Sequence, residues 1–372
     1  MKLTKLYIHN YKSFYDTTIE LGKLNIVVGE NNSGKSNLID ALEFIPLAYN
    51  NNFYGAISKK GGFEKILNYN YNEKNILFEL EFEDEIFLIK SRFTVNKQNS
   101  VVSLIIYAKT DNNIIPLHIN ASRNNINKSS MKNKIYDYIE NITKLELEEK
   151  LLILQLRFSS MIDELSITYA FNTETIKNES HRRAEKKLFK NGANLGQNLL
   201  YIKDNYPNSF NIISNSMIGI VNEIDGIDVQ DTFGNAFIGF KEKNQEIGID
   251  MVSDGTINLL ATITALNQDE ENSMLLAFDE PERYLHMKAV NYLMDSFRSN
   301  IKQILITTHS TEILKYADIS EVVFIYRDNY GDTQSIRANK IPNLKEKMEY
   351  MTYERSMSLD EMLNEDMVWD FE

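Results

Sequence analysis

The 372-residue chain contains no cysteine, so disulfides and thiolate metal sites are excluded and its chemistry must come from oxygen and nitrogen groups. A reducing, cytoplasmic setting is expected. The chain also lacks any apolar stretch approaching the length that spans a bilayer. Its start, MKLTKLYIHNYKSFYDTTIEL, alternates apolar with polar residues instead of joining a basic segment to an apolar block. Neither a membrane span nor a secretory leader is expected. Positive charge is in short supply: 40 Lys and Arg against 53 Asp and Glu leave a formal net charge of -13. Phosphate neutralisation needs basic side chains facing the backbone, so any contact with nucleic acid must be a local patch. Internal repeats and low-complexity linkers are absent too. What remains is an ordinary globular composition, 43% hydrophobic and 25% charged, long enough for one large core or two modest ones.

Residues 3–9 and 18–21 read as a strand hairpin. LNIVVG (24–29) is a nearly all-apolar run suited to a strand buried on both faces. A helix follows at once from about Lys35, with apolar Leu38, Ile39, Leu42 and Ile45 on one face, and is expected to stop near Pro46. Between about 76 and 108, alternating and apolar segments rich in β-branched and aromatic residues predict an antiparallel sheet. Residues 123–190 are Asn- and Lys-rich with helical stretches, yet apolar heptads do not persist as a coiled coil requires, so a short helical insertion is expected. From 193 onward, two helices separated at Pro207, strands near 226–250, and then alternating helix and apolar strand to 327 predict a parallel α/β sheet. The expected organisation is a head formed by 1–122 and 191–345, an insertion at 123–190, and an acidic tail at 346–372. That tail, with the single tryptophan Trp369, suits either a docking segment or a frayed end.

Gly29-Glu30-Asn31-Asn32-Ser33-Gly34-Lys35-Ser36 matches GxxxxGK[ST] between a buried strand and an amphipathic helix. In that context glycines let backbone amides curl around phosphates, and the helix N-terminus adds a favourable dipole. Lys35 is expected to reach the β and γ phosphates and Ser36 to ligate Mg2+. The apolar strand Met274–Phe278 ends in Asp279-Glu280, at the strand end where open α/β sheets bind ligands. Alone, such a pair equally suits a solvated helix start before Pro281. Beside Lys35 and Ser36, Asp279 becomes a Mg2+ partner and Glu280 a group that can polarise water for in-line attack. The strand ILITTH ends in His309, a candidate γ-phosphate sensor by position, whereas His9, His118, His181 and His286 occupy no comparable place. Ser253, in Val252-Ser253-Asp254-Gly255-Thr256, can cap the apolar helix that follows while free amides face an anion; a plain N-cap explains the same pattern.

These landmarks, LYIHNYKSF, GENNSGKSNLIDAL, SDGTINLLATITAL and MLLAFDEPERYLH with ITTHS, resemble in order the ABC-type ATPases related to SMC heads and to the overcoming-lysogenization-defect (OLD) nucleases. Weaker likeness lies in GGFEKIL and GANLGQNLLYI. The resemblance implies an α/β ABC-ATPase P-loop head with an antiparallel β subdomain and a helical insertion. It assigns Asn31, Asn32, Ser33, Gly34, Lys35 and Ser36 to the Walker A site, Asp279 and Glu280 to Walker B, His309 to the switch, and Ser253 and Gly255 to the signature. ATP and Mg2+ are the implied cofactors. In such families the signature contacts ATP bound by the other subunit, so a homodimer or higher homo-oligomer is implied.

SDGT departs from the transporter form of the signature, Met287 stands where OLD-like proteins commonly carry proline, and no Q-loop glutamine can be placed. About sixty residues follow His309 without the acidic arrangement of a TOPRIM nuclease, so the chain itself is not expected to cut nucleic acid. By analogy with stand-alone OLD-like ATPases, the expected role is an ATP-hydrolysing subunit gating a separately encoded effector, a nuclease or toxin, in anti-phage defence. The alternative is a DNA-repair or SMC-like head that binds DNA directly, through Arg182, Arg183, Lys186, Lys187 and Lys190 on one helix face; a merely solvated helix explains that run as well. A transporter half is disfavoured by the roughly 240 residues between Ser36 and Asp279.

Overall fold

The computed structural model describes residues 1–49, 53–122, 125–126, 165–178, 186–268 and 273–342, apart from a few single positions and residues 110–113, together with Ile162 and Leu344. The first half contains β1 (Lys2–His9), β2 (Thr17–Glu20), β3 (Leu24–Val28), α1 (Lys35–Tyr49), α2 (Phe53–Lys59), β4 (Asn75–Glu83), β5 (Phe87–Asn96), β6 (Ser100–Lys109), β7 (Ile114–Ile119), β8 (Ala121–Ser122) and β9 (Asn125–Ile126). Then come β10 (Ser166–Tyr169), α3 (Thr173–Asn178), α4 (Leu195–Asn205), α5 (Pro207–Ile220), β11 (Gly226–Thr232), β12 (Asn235–Glu242), β13 (Gln245–Gly248) and α6 (Asp254–Leu266). The last are β14 (Leu275–Asp279), α7 (Met287–Ser299), β15 (Gln303–Thr308), α8 (Thr311–Leu314), β16 (Val322–Arg327) and β17 (Thr333–Arg337).

A six-stranded sheet in the order β10-β14-β15-β3-β16-β17 forms the centre. It is parallel from β10 to β16, with β17 antiparallel at one edge. Its central strands are apolar on both sides because each side meets a different core. Val27, Leu275, Ala277 and Leu305 pack with α1 and the antiparallel sheet β2-β1-β4-β5-β6-β7. The alternating residues Ile26, Val28, Leu276, Phe278, Ile304 and Ile306 pack with α4 to α7. Period-two alternation thus persists beneath a uniformly hydrophobic sequence, as expected of a buried parallel sheet. A third, three-stranded sheet, β11-β12-β13, lies against α4 and α5. The architecture is the expected α/β ABC-ATPase P-loop fold with an antiparallel β subdomain.

Two expectations change. Helix α1 does not stop near Pro46 but continues to Tyr49. Proline removes the N–H that would bond the carbonyl of Leu42, and the Ser166 hydroxyl of β10 donates to that carbonyl instead, at 2.9 Å. The segment 123–190, read as an insertion, also contains β10, which pairs with β14 from Ser166↔Leu275 to Tyr169↔Phe278 and so belongs to the central sheet. Four residues within a segment whose sequence reads as helical were too few to announce a strand. The rest of the expected insertion, 127–161 and 179–185, lies largely outside the described residues, and the acidic tail 346–372 lies outside them entirely.

Candidate nucleotide site

Parallel strands end on one edge of their sheet, which is why motifs far apart in sequence meet here. Val28 is in register with Thr308, and Thr307 with Asp279. The loop after β3, the acidic pair at the end of β14 and His309 after β15 therefore lie side by side.

Within the phosphate loop, Gly34 has φ +117°. A Cβ there would lie 2.4 Å from the Thr333 Oγ1, so side-chain conformation and space both demand glycine. Asn31 and Asn32 are exposed. Asn32 tolerates φ 67°, and its carbonyl accepts from the Arg327 Nε at 2.9 Å. The buried Ser33 accepts at its carbonyl from the Thr333 hydroxyl at 2.8 Å. Ser36 is exposed at the first turn of α1. Lys35 is buried, its ammonium donating to the carbonyls of Gly29 at 2.5 Å and Glu30 at 2.7 Å. Burial pulls its pKa down to about 8, against the opposing charges of Glu280, Asp279 and Glu30. The amine is thus held beside the acidic pair.

Asp279 accepts from the Thr307 hydroxyl at 2.5 Å, which orients its carboxylate. Glu280 sits at φ 49°, a left-handed conformation uncommon outside glycine, while its N–H extends the ladder to the carbonyl of Thr307 at 2.9 Å. Such strain, of order 1–3 kcal/mol, persists where the surroundings over-determine it and clusters at functional sites. The His309 Nε2 approaches the Glu280 Oε1 to 3.6 Å. Burial and the Lys35 charge lower the His309 pKa, outweighing Glu280 and Asp279. The approach is therefore between a neutral imidazole and a carboxylate at neutral pH, not a full ion pair.

Ser253 caps α6, its hydroxyl accepting from the Thr256 N–H at 3.1 Å. Gly255 brings this end of α6 against the turn after β14: a Cβ would lie 2.3 Å from the carbonyl of Tyr284. The buried Asn258 fastens the same turn, donating to the carbonyls of Pro281 at 3.0 Å and Arg283 at 2.9 Å. Ser253 and Gly255 line a cavity of about 340 Å³ with Thr256, Tyr284, His286 and Lys288, to which no phosphate-loop residue contributes. The structure brings Lys35, Asp279, Glu280 and His309 together within one chain, and places Ser253 and Gly255 elsewhere.

Sequence reasoning missed several neighbours. Thr307 and Thr308 are polar and buried directly after the apolar run Ile304–Ile306, a pattern that could have marked them. Glu282, in DEPER, is buried and accepts from the Thr308 hydroxyl, while its second oxygen has no partner among the described residues. Burial pushes its carboxyl up to about 7, with Glu280 and Asp279 adding to the rise against the Thr308 hydroxyl. Arg327 and Thr333, which brace the loop, carried no motif. The position flanking the acidic pair follows β10, where the first polar residue is Asn172. Its carboxamide caps α3, accepting from the Thr175 N–H at 2.7 Å. The predicted basic helix face does not extend over 186–190, which form bends and a turn. Lys190 is paired with Glu43, and the Lys186 ammonium lies 5.7 Å from the centre of the Tyr201 ring. Arg182 and Arg183 lie outside the described residues.

No cluster of three or more His, Cys, Asp or Glu able to hold a metal occurs among the described residues. The Ser36 hydroxyl and Asp279 carboxylate are two hard oxygen donors, the sparse set from which Mg2+ is held when phosphates and water complete its shell. Among the described residues, no helix is long and apolar enough to cross a membrane.

A phosphate loop, an acidic pair and a histidine meet at the carboxyl edge of this sheet, the layout of a P-loop nucleotide-binding head, and the fold is that of ABC and SMC heads. The chain belongs to the family described as "AAA domain, putative AbiEii toxin, Type IV TA system", whose model matches residues 24–315. No curated protein matches it. Among solved structures it is similar to an SMC head bound to the C-winged helix domain of ScpA, at 18% identity and a TM-score of 0.57, covering 91% of this chain and 99% of that one. It is also similar to the Pyrococcus furiosus SMC head with an extended coiled coil bound to the C-terminal domain of ScpA, at 15% identity and a TM-score of 0.51, covering 95% and 99%. At these identities the likeness is one of fold.

Proposed function

We propose that the chain hydrolyses ATP with Mg2+ and does so as a dimer in which each phosphate loop faces the Ser253–Gly255 segment of the other copy. One observation carries this reading. Lys35, Asp279, Glu280 and His309 converge at one edge, while Ser253 and Gly255 line a separate cavity in the same chain. A helix N-terminus that no phosphate-loop residue of its own subunit reaches is free to face a second subunit's nucleotide. Lys35 and the loop amides from Asn31 to Gly34 hold the phosphates, Glu280 orients water for in-line attack, and His309 attends the γ-phosphate. Ser36 and Asp279 would hold Mg2+, which when bound would supply charge neutralisation at the transferred group.

Closure around two nucleotides is a two-state change that can be read by a partner protein. The family is described by the words "putative AbiEii toxin, Type IV TA system", which supports a defence setting; in this reading the chain is an OLD-like ATPase that gates an effector, a nuclease or toxin. Residues 1–122 and 191–345, with β10 added, form the head in this reading, and the remainder of 123–190 is the insertion.

Size-exclusion light scattering of wild type and Glu280→Gln, with and without ATP and Mg2+, tests the core of the proposal. Removing the orienting base while keeping the binding groups should trap an ATP-dependent dimer and lower hydrolysis by orders of magnitude. Unchanged turnover, or a mass independent of nucleotide, contradicts it.

A further inference from the structure

The turn after β14 holds a side chain with no part in the scheme above. Glu282 is 9% exposed and, among the described residues, has no ion-pair partner and leaves one carboxyl oxygen buried without a hydrogen-bond partner. Burying an acid this way is costly, and the turn does not need it. Backbone bonds from Arg283 to Glu280 and from Leu285 to Glu282, with the two from Asn258, already shape the turn.

What the side chain does touch is the strand end that carries His309. The Thr308 hydroxyl donates to Glu282 and accepts from the Ser310 N–H at 2.8 Å. A chain of bonds from Glu282 through Thr308 to Ser310 thus pins the backbone on both sides of His309. The imidazole itself is 41% exposed, with a 3.6 Å approach to Glu280, so its position is set chiefly by its backbone.

We propose that Glu282 is a positioning residue for His309, acting through the Thr308 hydroxyl. The task requires an acceptor at that point, not a charge. Glutamine can therefore serve, whereas alanine cannot. The kinetic consequence rests on the reading of His309 as the group that attends the γ-phosphate; the geometric consequence does not.

The test uses the full chain with two readouts. In steady-state ATP hydrolysis, Glu282→Ala and Thr308→Val should lower kcat about ten- to a hundredfold with KM changed by less than about threefold, the size of effect seen when a supporting group is lost. Glu282→Gln and Thr308→Ser should recover most of that loss. In a double-mutant cycle, Glu282→Ala should add little to His309→Ala, because both remove the same element. Independently of turnover, imidazole NMR of the chain, whose five histidines are assigned with His309→Ala, should show the His309 resonances displaced in Glu282→Ala and restored in Glu282→Gln. Losses that multiply in the cycle, or His309 resonances unmoved by Glu282→Ala, overturn the proposal. A wild type that does not hydrolyse ATP defeats the hydrolytic reading alone, and the resonances still decide this one.

Discussion

Glu282 provides a test in stability as well. Burial raises its carboxyl from 4.5 to about 7, so the folded chain holds a proton there that the unfolded chain releases. The unfolded state binds fewer protons throughout that window, and stability must fall as pH rises. The penalty is absent below the unfolded value and complete above the folded one. At about 1.4 kcal/mol per pKa unit the full effect is ~3 kcal/mol, of which about 2–3 kcal/mol develops between pH 5 and pH 8. Glutamine cannot ionise and preserves the shape. Urea unfolding of wild type and Glu282→Gln across that range should therefore show the variant gaining on the wild type by about this amount as pH rises, whatever offset exists at pH 5. Parallel curves would refute the inference that this acid is held neutral.

Lys35→Ala should abolish measurable binding of a fluorescent ATP analogue while leaving the far-ultraviolet spectrum intact, since the amine is the loop's principal cation for phosphate. Gly34→Ala should do the same and also destabilise the chain by more than about 1 kcal/mol in chemical unfolding, because a Cβ at φ +117° would collide with Thr333. Asn258→Ala strips two carbonyls of their donor at once and should cost about 1–3 kcal/mol of stability. It should also weaken the ATP-dependent dimer of Glu280→Gln, because α6 and the turn after β14 no longer move as one; an unchanged dimer constant would argue against that coupling.

The sequence alone carried the local chemistry. GENNSGKS announced a phosphate loop because a buried strand and an amphipathic helix flank it, and the SDGT segment announced a cap because serine precedes an apolar helix. It also carried the two-sided burial of the central strands, since the largely apolar runs at β3, β14 and β15 require cover on both faces of a sheet. Tertiary structure decided the remainder. Pro46 was no stop because a serine 120 residues away in the chain, Ser166, supplies the missing donor. β10 entered the central sheet only because β14 offered an edge. Glu282, Thr308, Arg327 and Thr333 acquired their places through neighbours remote in sequence. Motif residues are legible because backbone geometry within a few positions dictates their type. Bracing residues are not, because any side chain with the right donor or acceptor at the right distance will serve, and that distance exists only once the chain has folded.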